Sequence, residues 1–400
     1  MSNKRILFTL FLIVFIGLLG FSLFIPLLPY YADTFGATTF QNGLLIASYA
    51  AAQLIGAPLL GRASDRYGRK PILLLSIGGT IIAFILLAFA NSLWMLFFAR
   101  MLDGFTGGNI SVAQAYISDV TDEKNRSKGL GLIGAAFGLG FIFGPAMGGA
   151  LSNLGFAAPA LAAAVLSLLS FLGVIFFLPE SLSPQARIEL AKKAKEEFTL
   201  QLLWRALHRP LMGPLLQVRF LFGLAFSTFN SIFPLYAQKY LNLNASQAAY
   251  MLAYFGLLIV LVQGVGIGFF SARLAESKLI FWSNILLGLT LLGWAFFPNL
   301  IGILILGLPL ALSGGILSTI INSVLTKVVP TEEIGGTLGL SASLESLTRV
   351  IAPTAGGWML GALGSWGPGI FAAVIMAGAV IISGQYILPI LLVKTKPTQV

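Results

Sequence analysis

Twelve long apolar segments, separated by short clusters of glycine, proline and charged residues, constrain the fold of this chain more than any other feature. A helix needs about 20 mostly apolar residues to cross the hydrocarbon core of a bilayer. The segments are unbroken and do not alternate between apolar and polar residues, so they are not the strands of a membrane barrel. They lie at about 6–30, 41–61, 71–91, 93–117, 129–152, 158–178, 211–237, 246–270, 279–297, 299–326, 335–360 and 367–393. The sequence therefore predicts an all-α polytopic membrane protein, and we number the segments spans 1 to 12.

Charged residues are too few for a water-soluble fold, since they make up 10% of the chain against about 25% in typical soluble domains. The net charge is +10, but the bases flank the spans, so we expect contact with membrane lipids and no binding to nucleic acid. The chain has no cysteine, and its one histidine, His208, has no neighbour with which to form a metal site. We expect a monomer without metal or cofactor.

Lysine and arginine lie almost entirely on one side of the predicted spans. Twenty of the 24 lie at the N-terminus or follow an even-numbered span, whereas Lys239 alone lies on the opposite side. The other three, Arg100, Arg219 and Arg349, lie within spans. Because cytoplasmic loops carry an excess of these bases, the sequence predicts that both termini are cytoplasmic.

The two halves of the chain repeat. A constant shift of 208 residues places Pro26 on Pro234 and Pro145 on Pro353, in two separate spans of each half. Such a repeat predicts two pseudo-symmetric six-helix bundles with a substrate site at their interface, near the bilayer midplane.

The predicted domains follow from this repeat. We assign the first bundle to residues 1–180 and the second to residues 211–400. The cytoplasmic linker between them, residues 181–210, is predicted to end in an amphipathic helix on the membrane surface.

A short charged motif follows span 2, with the sequence Gly61-Arg-Ala-Ser-Asp65-Arg66-Tyr-Gly68-Arg69-Lys70. Its bases are typical of any cytoplasmic loop, but that interpretation does not explain the two glycines and the acid together. We expect a loop in which Gly61 and Gly68 make a tight turn and Asp65 lies among bases at the membrane surface.

Span 5 carries glycine at every fourth position, at Gly140, Gly144 and Gly148, followed by Gly149. This spacing predicts a smooth face for close helix packing, and Pro145 relaxes the same helix. A plain packing face without a role in transport is the alternative. The residues predicted to act in gating are Gly61, Asp65, Arg66, Gly68, Arg69, Arg126, Gly140, Gly144, Pro145, Gly148 and Gly149.

These motifs resemble those of the major facilitator superfamily. The residues from Gly61 to Lys70 match its motif A nearly residue for residue, and Arg100 with Gly104 resembles motif B. Span 5 is similar over its full length to motif C of the drug:proton antiporter branch. The resemblance implies that Asp65 interacts with the N-terminus of span 11 and braces one conformation, an attraction worth about 0.3–1 kcal/mol or more when partly buried.

Within that branch, the chain resembles tetracycline-type exporters locally, through Gly61 to Lys70, Leu93-Trp94-Met95-Leu96 and the region of spans 4 and 5, and this resemblance implies the inner membrane of a bacterium. Those exporters carry functional acids in spans 1 and 3, where this chain has Gly17 and Ala83. The difference argues against tetracycline itself as the substrate.

Ionisable residues within spans are functional candidates by default. Glu345 lies about 15 Å along span 11 at 1.5 Å per residue, near the middle of the bilayer, and Arg349 lies one turn further on the same face. The arginine favours the ionised carboxylate while burial favours the neutral form, so we predict that Glu345 carries the coupled proton. A static ion pair is the alternative, and Arg100 with Asp103 on span 4 is the alternative carrier.

Polar residues within the spans are the candidates for a substrate site. Span 4 is predicted to present one polar face through Arg100, Asp103, Gly107, Ser111 and Gln114. Four other amides stand alone in their spans, and an interhelical hydrogen bond is the alternative for each. They are Gln53, Asn230, Gln263 and Asn322.

The sequence predicts a secondary transporter that exports an amphipathic organic compound or drug in exchange for protons, by alternating access. A lipid or glycolipid flippase of the same superfamily is the alternative within transport. The chain has no Gly-x-x-x-x-Gly-Lys-[Ser/Thr] loop, so ATP is not the direct energy source.

An intramembrane enzyme would need a nucleophile and base or a metal cluster at bilayer depth, and the spans contain no His, no Cys and no paired acids. We therefore do not expect an enzyme, and a sensor would leave the gating motifs unexplained.

Overall fold

Helices are the only regular elements in the residues that the computed structural model describes, which are 3–121, 123–192, 200–330 and 333–389. Spans 1 to 6 comprise Asn3–Phe24 with Ile25–Leu27 and Leu28–Asp33, Thr39–Tyr67, Arg69–Ala88, Leu93–Thr106 with Asn109–Val120, Glu123–Ser152 and Ala157–Phe177. Spans 7 to 12 comprise Met212–Tyr240, Ala245–Leu261 with Val262–Gly266 and Ile267–Ser271, Glu276–Phe296, Leu300–Val328, Ile334–Leu363, and Gly367–Ile382 with Ser383–Ile387. Two short helices, Pro184–Lys192 and Leu200–Leu207, lie between the two sets.

These helices confirm the predicted all-α fold with twelve spans. Ten continuous helical stretches of the described chain are long and apolar enough to cross a bilayer. One of them, Ile334–Ile387, turns at Gly364 and holds spans 11 and 12. Span 4 is the twelfth, since its two helices are each too short for a crossing and follow one another end to end.

The charged motif after span 2 is mostly helical, so the prediction of a loop beginning at Gly61 was wrong. Span 2 continues as a helix through Tyr67, and span 3 begins at Arg69. Only Gly68 makes the turn, with its amide bonded to the Ser64 carbonyl at 3.1 Å and a φ of 106° that other residues rarely adopt. The apolar segment ends before the helix does, because alanine and arginine continue a helix readily outside the bilayer.

Span 4 is broken at Gly107 and Gly108, between its two helices. The break changes the direction in which the second helix presents its side chains. Arg100 and Asp103 on the first helix are buried, whereas Gln114 on the second helix is exposed. The predicted single polar face of span 4 does not form.

The chain divides into two compact units. Unit 1 comprises Met1–Thr38, Ser48–Glu196 and Leu243–Ala253, and unit 2 comprises Thr39–Ala47, Glu197–Asn242 and Tyr254–Val400. The first turns of span 2 thus belong to unit 2, and the first turns of span 8 belong to unit 1.

Each unit has an apolar core of its own. In unit 1, buried residues of spans 1 to 6 pack together, with Tyr116 and Leu73 among them. In unit 2, the rings of Phe229, Phe255 and Trp294 meet edge to face at centroid distances of 5.0 and 5.5 Å. These cores hold the polar side chains described below at fixed positions within their helices.

Candidate functional site

Arg69 is the centre of a hydrogen-bonded cluster in unit 1. Its Nη1 donates to Asp65 Oδ1 and to Ser64 Oγ, both at 2.7 Å, and its Nε donates to Asp119 Oδ2 at 2.9 Å. Arg69 and Asp65 are buried, whereas Arg66 of the same motif is exposed. Two carboxylates and a hydroxyl thus bind one guanidinium, and charge-assisted hydrogen bonds of this kind fix the geometry of the motif.

Glu180, which the sequence interpretation missed, caps the first turn of span 3. Its Oε1 accepts a hydrogen bond from the Arg69 amide at 2.9 Å, and its Oε2 accepts one from the Lys70 amide at 3.1 Å. A carboxylate at a helix N-terminus is stabilising because the free amides there carry partial positive charge. The sequence signal was a single acid directly after span 6, which does not reveal a partner 111 positions away.

The glycine face of span 5 packs closely against span 1. A Cβ added to Gly144 would overlap the side chain of Ser22, and one added to Gly148 would overlap the carbonyl group of Leu23. Gly140 accepts a hydrogen bond from Ser22 Oγ at 2.7 Å through its carbonyl oxygen. The two helices therefore approach as closely as small residues allow.

Pro145 and Gly149 of the same motif are also buried. A Cβ added to Gly149 would lie 3.0 Å from the carbonyl oxygen of Ser246 and 3.1 Å from Ala249 Cβ. Within unit 1, span 5 therefore meets the start of span 8 as well as span 1.

Arg100 and Asp103 form a buried ion pair in span 4, with Nη1 and Oδ2 separated by 3.2 Å. Thr80 on span 3 donates to the second carboxylate oxygen at 3.0 Å. The guanidinium carbon lies 4.4 Å from the ring centroid of Tyr49 on span 2, a favourable cation–π distance. The pair joins spans 2, 3 and 4 and is removed from solvent.

Gln53 makes an interhelical hydrogen bond to the break in span 4. Its Nε2 donates to the Gly107 carbonyl at 3.0 Å and also lies 3.2 Å from the Tyr49 hydroxyl. The carbonyl groups at a helix C-terminus need partners from outside their own helix, and Gln53 supplies one. In this structure the Gln53 amide therefore makes the interhelical hydrogen bond that was the alternative to substrate binding.

Glu345 lies between two arginines in unit 2. Its Oε1 accepts a hydrogen bond from Arg349 Nη2 at 2.6 Å, and its Oε2 accepts one from Arg219 Nη2 on span 7. Arg219 is buried, with 8% of its side chain exposed, while the Glu345 and Arg349 side chains are 34% and 53% exposed. Arg219 was placed in a span by the sequence but given no role, because its partner lies 126 positions away.

Two of the remaining amides join neighbouring helices of unit 2. Asn322 accepts a hydrogen bond from Ser341 Oγ at 3.3 Å, between spans 10 and 11. Gln263 lies in the π-helical part of span 8 and donates to Ser318 Oγ at 3.2 Å. Gln263 is itself exposed.

The other predicted residues are not brought into these clusters. Asn230 donates to the Phe226 carbonyl of its own helix at 3.1 Å. Gln114 is exposed on span 4. Arg126 lies in span 5, and its side chain is outside the part of the chain that the structure describes. In that described part, no group of three or more His, Cys, Asp or Glu side chains could hold a metal ion.

Comparison with known proteins places the chain in a family. Residues 10–266 and 215–399 match the sequence profile of the Major Facilitator Superfamily. The class E tetracycline resistance protein of Escherichia coli is 34% identical over 362 residues, which cover 88% of this chain and 86% of that protein. Solute carrier family 22 member 18 of Mus musculus is 31% identical over 339 residues, covering 83% of each.

Solved structures support the same fold. The human organic anion transporter MFSD10 (TETRAN) has a TM-score of 0.69 at 21% identity, covering 96% of this chain and 100% of that one. The peptide transporter POT in complex with sulfate has a TM-score of 0.76 at 16% identity, covering 98% of each. With its twelve spans, its motifs and these relatives, the chain belongs to the major facilitator superfamily of membrane transporters.

Proposed function

We propose that this protein exports an amphipathic organic compound in exchange for protons by alternating access, with residues 1–180 and 211–400 as the two moving bundles. Similarity to tetracycline resistance proteins of classes E, H and C supports drug efflux. In this proposal the protein is a monomer in a bacterial inner membrane, with both termini in the cytoplasm. The single observation that carries proton coupling is the position of Glu345 between Arg219 and Arg349.

A carboxylate in the middle of a span is costly unless it is paired. Glu345 meets that condition with a guanidinium on each oxygen. Its side chain is also 34% exposed, and we propose that the proton reaches it through this exposed part. The buried Asp103 on span 4 has no such access, and Glu345 is therefore the better carrier.

Protonation of Glu345 would change the contact between spans 7 and 11. The ionised carboxylate accepts charge-assisted hydrogen bonds from Arg219 and Arg349, and such bonds are about twice as strong as neutral ones. A neutral carboxyl group binds both arginines less tightly, so the link between Arg219 on span 7 and its partner on span 11 loosens. Binding of the proton thereby changes the packing between spans 7 and 11.

We propose Gln114 and Gln263 as substrate contacts. Both amides are exposed on spans, and an amide facing lipid would lack hydrogen-bond partners. Exposure is therefore compatible with a water-filled substrate path. Gln263 makes its contact with Ser318 from an exposed position. Gln53, Asn230 and Asn322 are less exposed and are assigned instead to the helix contacts that they make.

The test compares Glu345→Gln with the wild-type protein in inverted vesicles, against a panel of amphiphilic drugs and dyes with sugars and lipids as further arms. We expect Glu345→Gln to lose gradient-driven transport but to keep gradient-free exchange. Glu276→Gln is the matched control, because it removes a carboxylate bonded to Lys327 at the start of span 9 and should keep both activities. Survival of both activities in Glu345→Gln would show that it carries no coupling proton.

A further inference from the structure

The segment that follows span 6 contacts both sides of the turn between spans 2 and 3. Glu180 accepts hydrogen bonds from the amides of Arg69 and Lys70 at 2.9 and 3.1 Å. On the short helix that follows, Arg187 Nη1 donates to the Tyr67 carbonyl at 3.2 Å. The two side chains are also close to each other, with Arg187 Nη2 3.5 Å from Glu180 Oε2. We call these two residues the clasp.

The charges of the clasp match the helix ends that they meet. Tyr67 is the last residue of span 2, where carbonyl groups lack partners, and Arg69 is the first residue of span 3, where amides lack partners. Cations stabilise a helix C-terminus and anions stabilise an N-terminus. The guanidinium of Arg187 and the carboxylate of Glu180 therefore complete both helix ends across a turn of one residue.

Gly68 leaves the space in which the clasp lies. A Cβ at this position would be 2.5 Å from Glu180 Oε2 and 2.9 Å from Arg187 Nη2. Any other residue would push these side chains away from the backbone and would strain a turn at positive φ. Gly68, the second glycine of the motif, thus leaves room for the clasp and also forms the turn.

Residues of span 4 also hold the segment that follows span 6. The Tyr116 hydroxyl donates to the Pro179 carbonyl at 2.6 Å, and Ser181 Oγ donates to Asp119 Oδ2 at 2.9 Å. The same Asp119 oxygen accepts from Arg69 Nε. One carboxylate therefore connects the start of the linker with the guanidinium at the centre of the motif.

We propose that Glu180 and Arg187 are positioning residues that hold the turn where Arg69 pairs with Asp65 and Asp119. This rests on the proposed alternating access, together with the resemblance to motif A, which implies that Asp65 braces one conformation of the transporter. The backbone amide that Glu180 binds belongs to Arg69 itself, so loss of the clasp frees the residue that holds both carboxylates. A displacement of the linker after span 6 is thereby transmitted to the gating motif.

Hydrogen exchange of the full-length protein, followed by mass spectrometry, tests the local effect. In Glu180→Gln we expect the amides of Arg69 and Lys70 to exchange about tenfold faster, because a hydrogen bond to a charged acceptor is lost. Glu189→Gln is the matched control, with the same change of charge at an exposed position of the short helix Pro184–Lys192 that follows Glu180, and should exchange as wild type. Unchanged exchange at the turn in Glu180→Gln would overturn the proposal. If that variant does not fold, Arg187→Gln carries the test, with a smaller acceleration expected at the same amides.

A double-mutant comparison separates positioning from a merely structural cap. If Glu180 positions Arg69, Asp65→Asn lowers the unfolding temperature less in the Glu180→Gln background than in the wild type. Equal effects in both backgrounds would overturn the positioning role. Neither measurement needs a substrate or a proton gradient, so absence of proton-driven export would refute the proposed function without changing these results.

Discussion

Among single residues, Asp65 is the acid that we propose for gating, and it pairs with the buried guanidinium of Arg69 inside unit 1. Asp65→Asn keeps the size of the side chain and removes its charge. Hydrogen bonds to charged groups contribute about 1.5–3 kcal/mol, so we expect initial export rates to fall at least about tenfold at equal expression. Glu189→Gln removes a carboxylate charge at an exposed position outside the motif and should keep the wild-type rate. A wild-type rate in Asp65→Asn would remove it from the mechanism.

The sequence reveals residue pairs within one helix but not pairs between helices. Glu345 and Arg349 were predicted from a spacing of four, and the structure joins them at 2.6 Å. Arg219 and Glu180 were not recognised as partners of Glu345 and Arg69, because their contacts depend on which spans are neighbours. Periodicity along one span carries no information about the helix packed against it.

At the scale of elements, the glycine face of span 5 sets how closely that helix approaches span 1. Leucine at Gly148 would overlap the carbonyl group of Leu23, and overpacking of this kind costs about 1–3 kcal/mol or more. We therefore expect Gly148→Leu to abolish transport or to make the membrane leak, measured as dye efflux from vesicles. Phe143→Leu, at an exposed position of the same helix, should have little effect. Equal behaviour of the two variants would contradict the packing argument.

Apolar segments located the spans but not their ends or breaks. Span 2 extends to Tyr67, beyond its apolar segment, and span 4 is divided at Gly107. The extension is stabilised by contacts of Arg69 with Asp65 and of Arg187 with the Tyr67 carbonyl, which form only in the folded chain. The break is stabilised by Gln53, whose amide satisfies the Gly107 carbonyl from another helix. Such tertiary partners cannot be read from local composition.

At the scale of the whole molecule, hydrophobic segments and motifs were sufficient to predict twelve spans and the family. The reason is physical, since a bilayer allows few ways to satisfy the backbone of so apolar a chain. The orientation of the termini stays a prediction from the positions of lysine and arginine. The proposed substrate contacts and proton coupling depend on a few polar side chains. The spacing of these residues along the sequence does not determine their partners in the fold.

The central claim is that substrate and protons move in opposite directions. The most direct measurement uses proteoliposomes that are loaded with a transported amphiphile and a pH-sensitive dye, with the membrane potential held at zero by potassium and valinomycin. When the amphiphile leaves down its own gradient, antiport predicts that protons enter and the lumen becomes acidic. Glu345→Gln should show no acidification while it still exchanges substrate. Exit of the amphiphile with no change in lumenal pH, or with an alkaline change, in the wild-type protein would contradict the account.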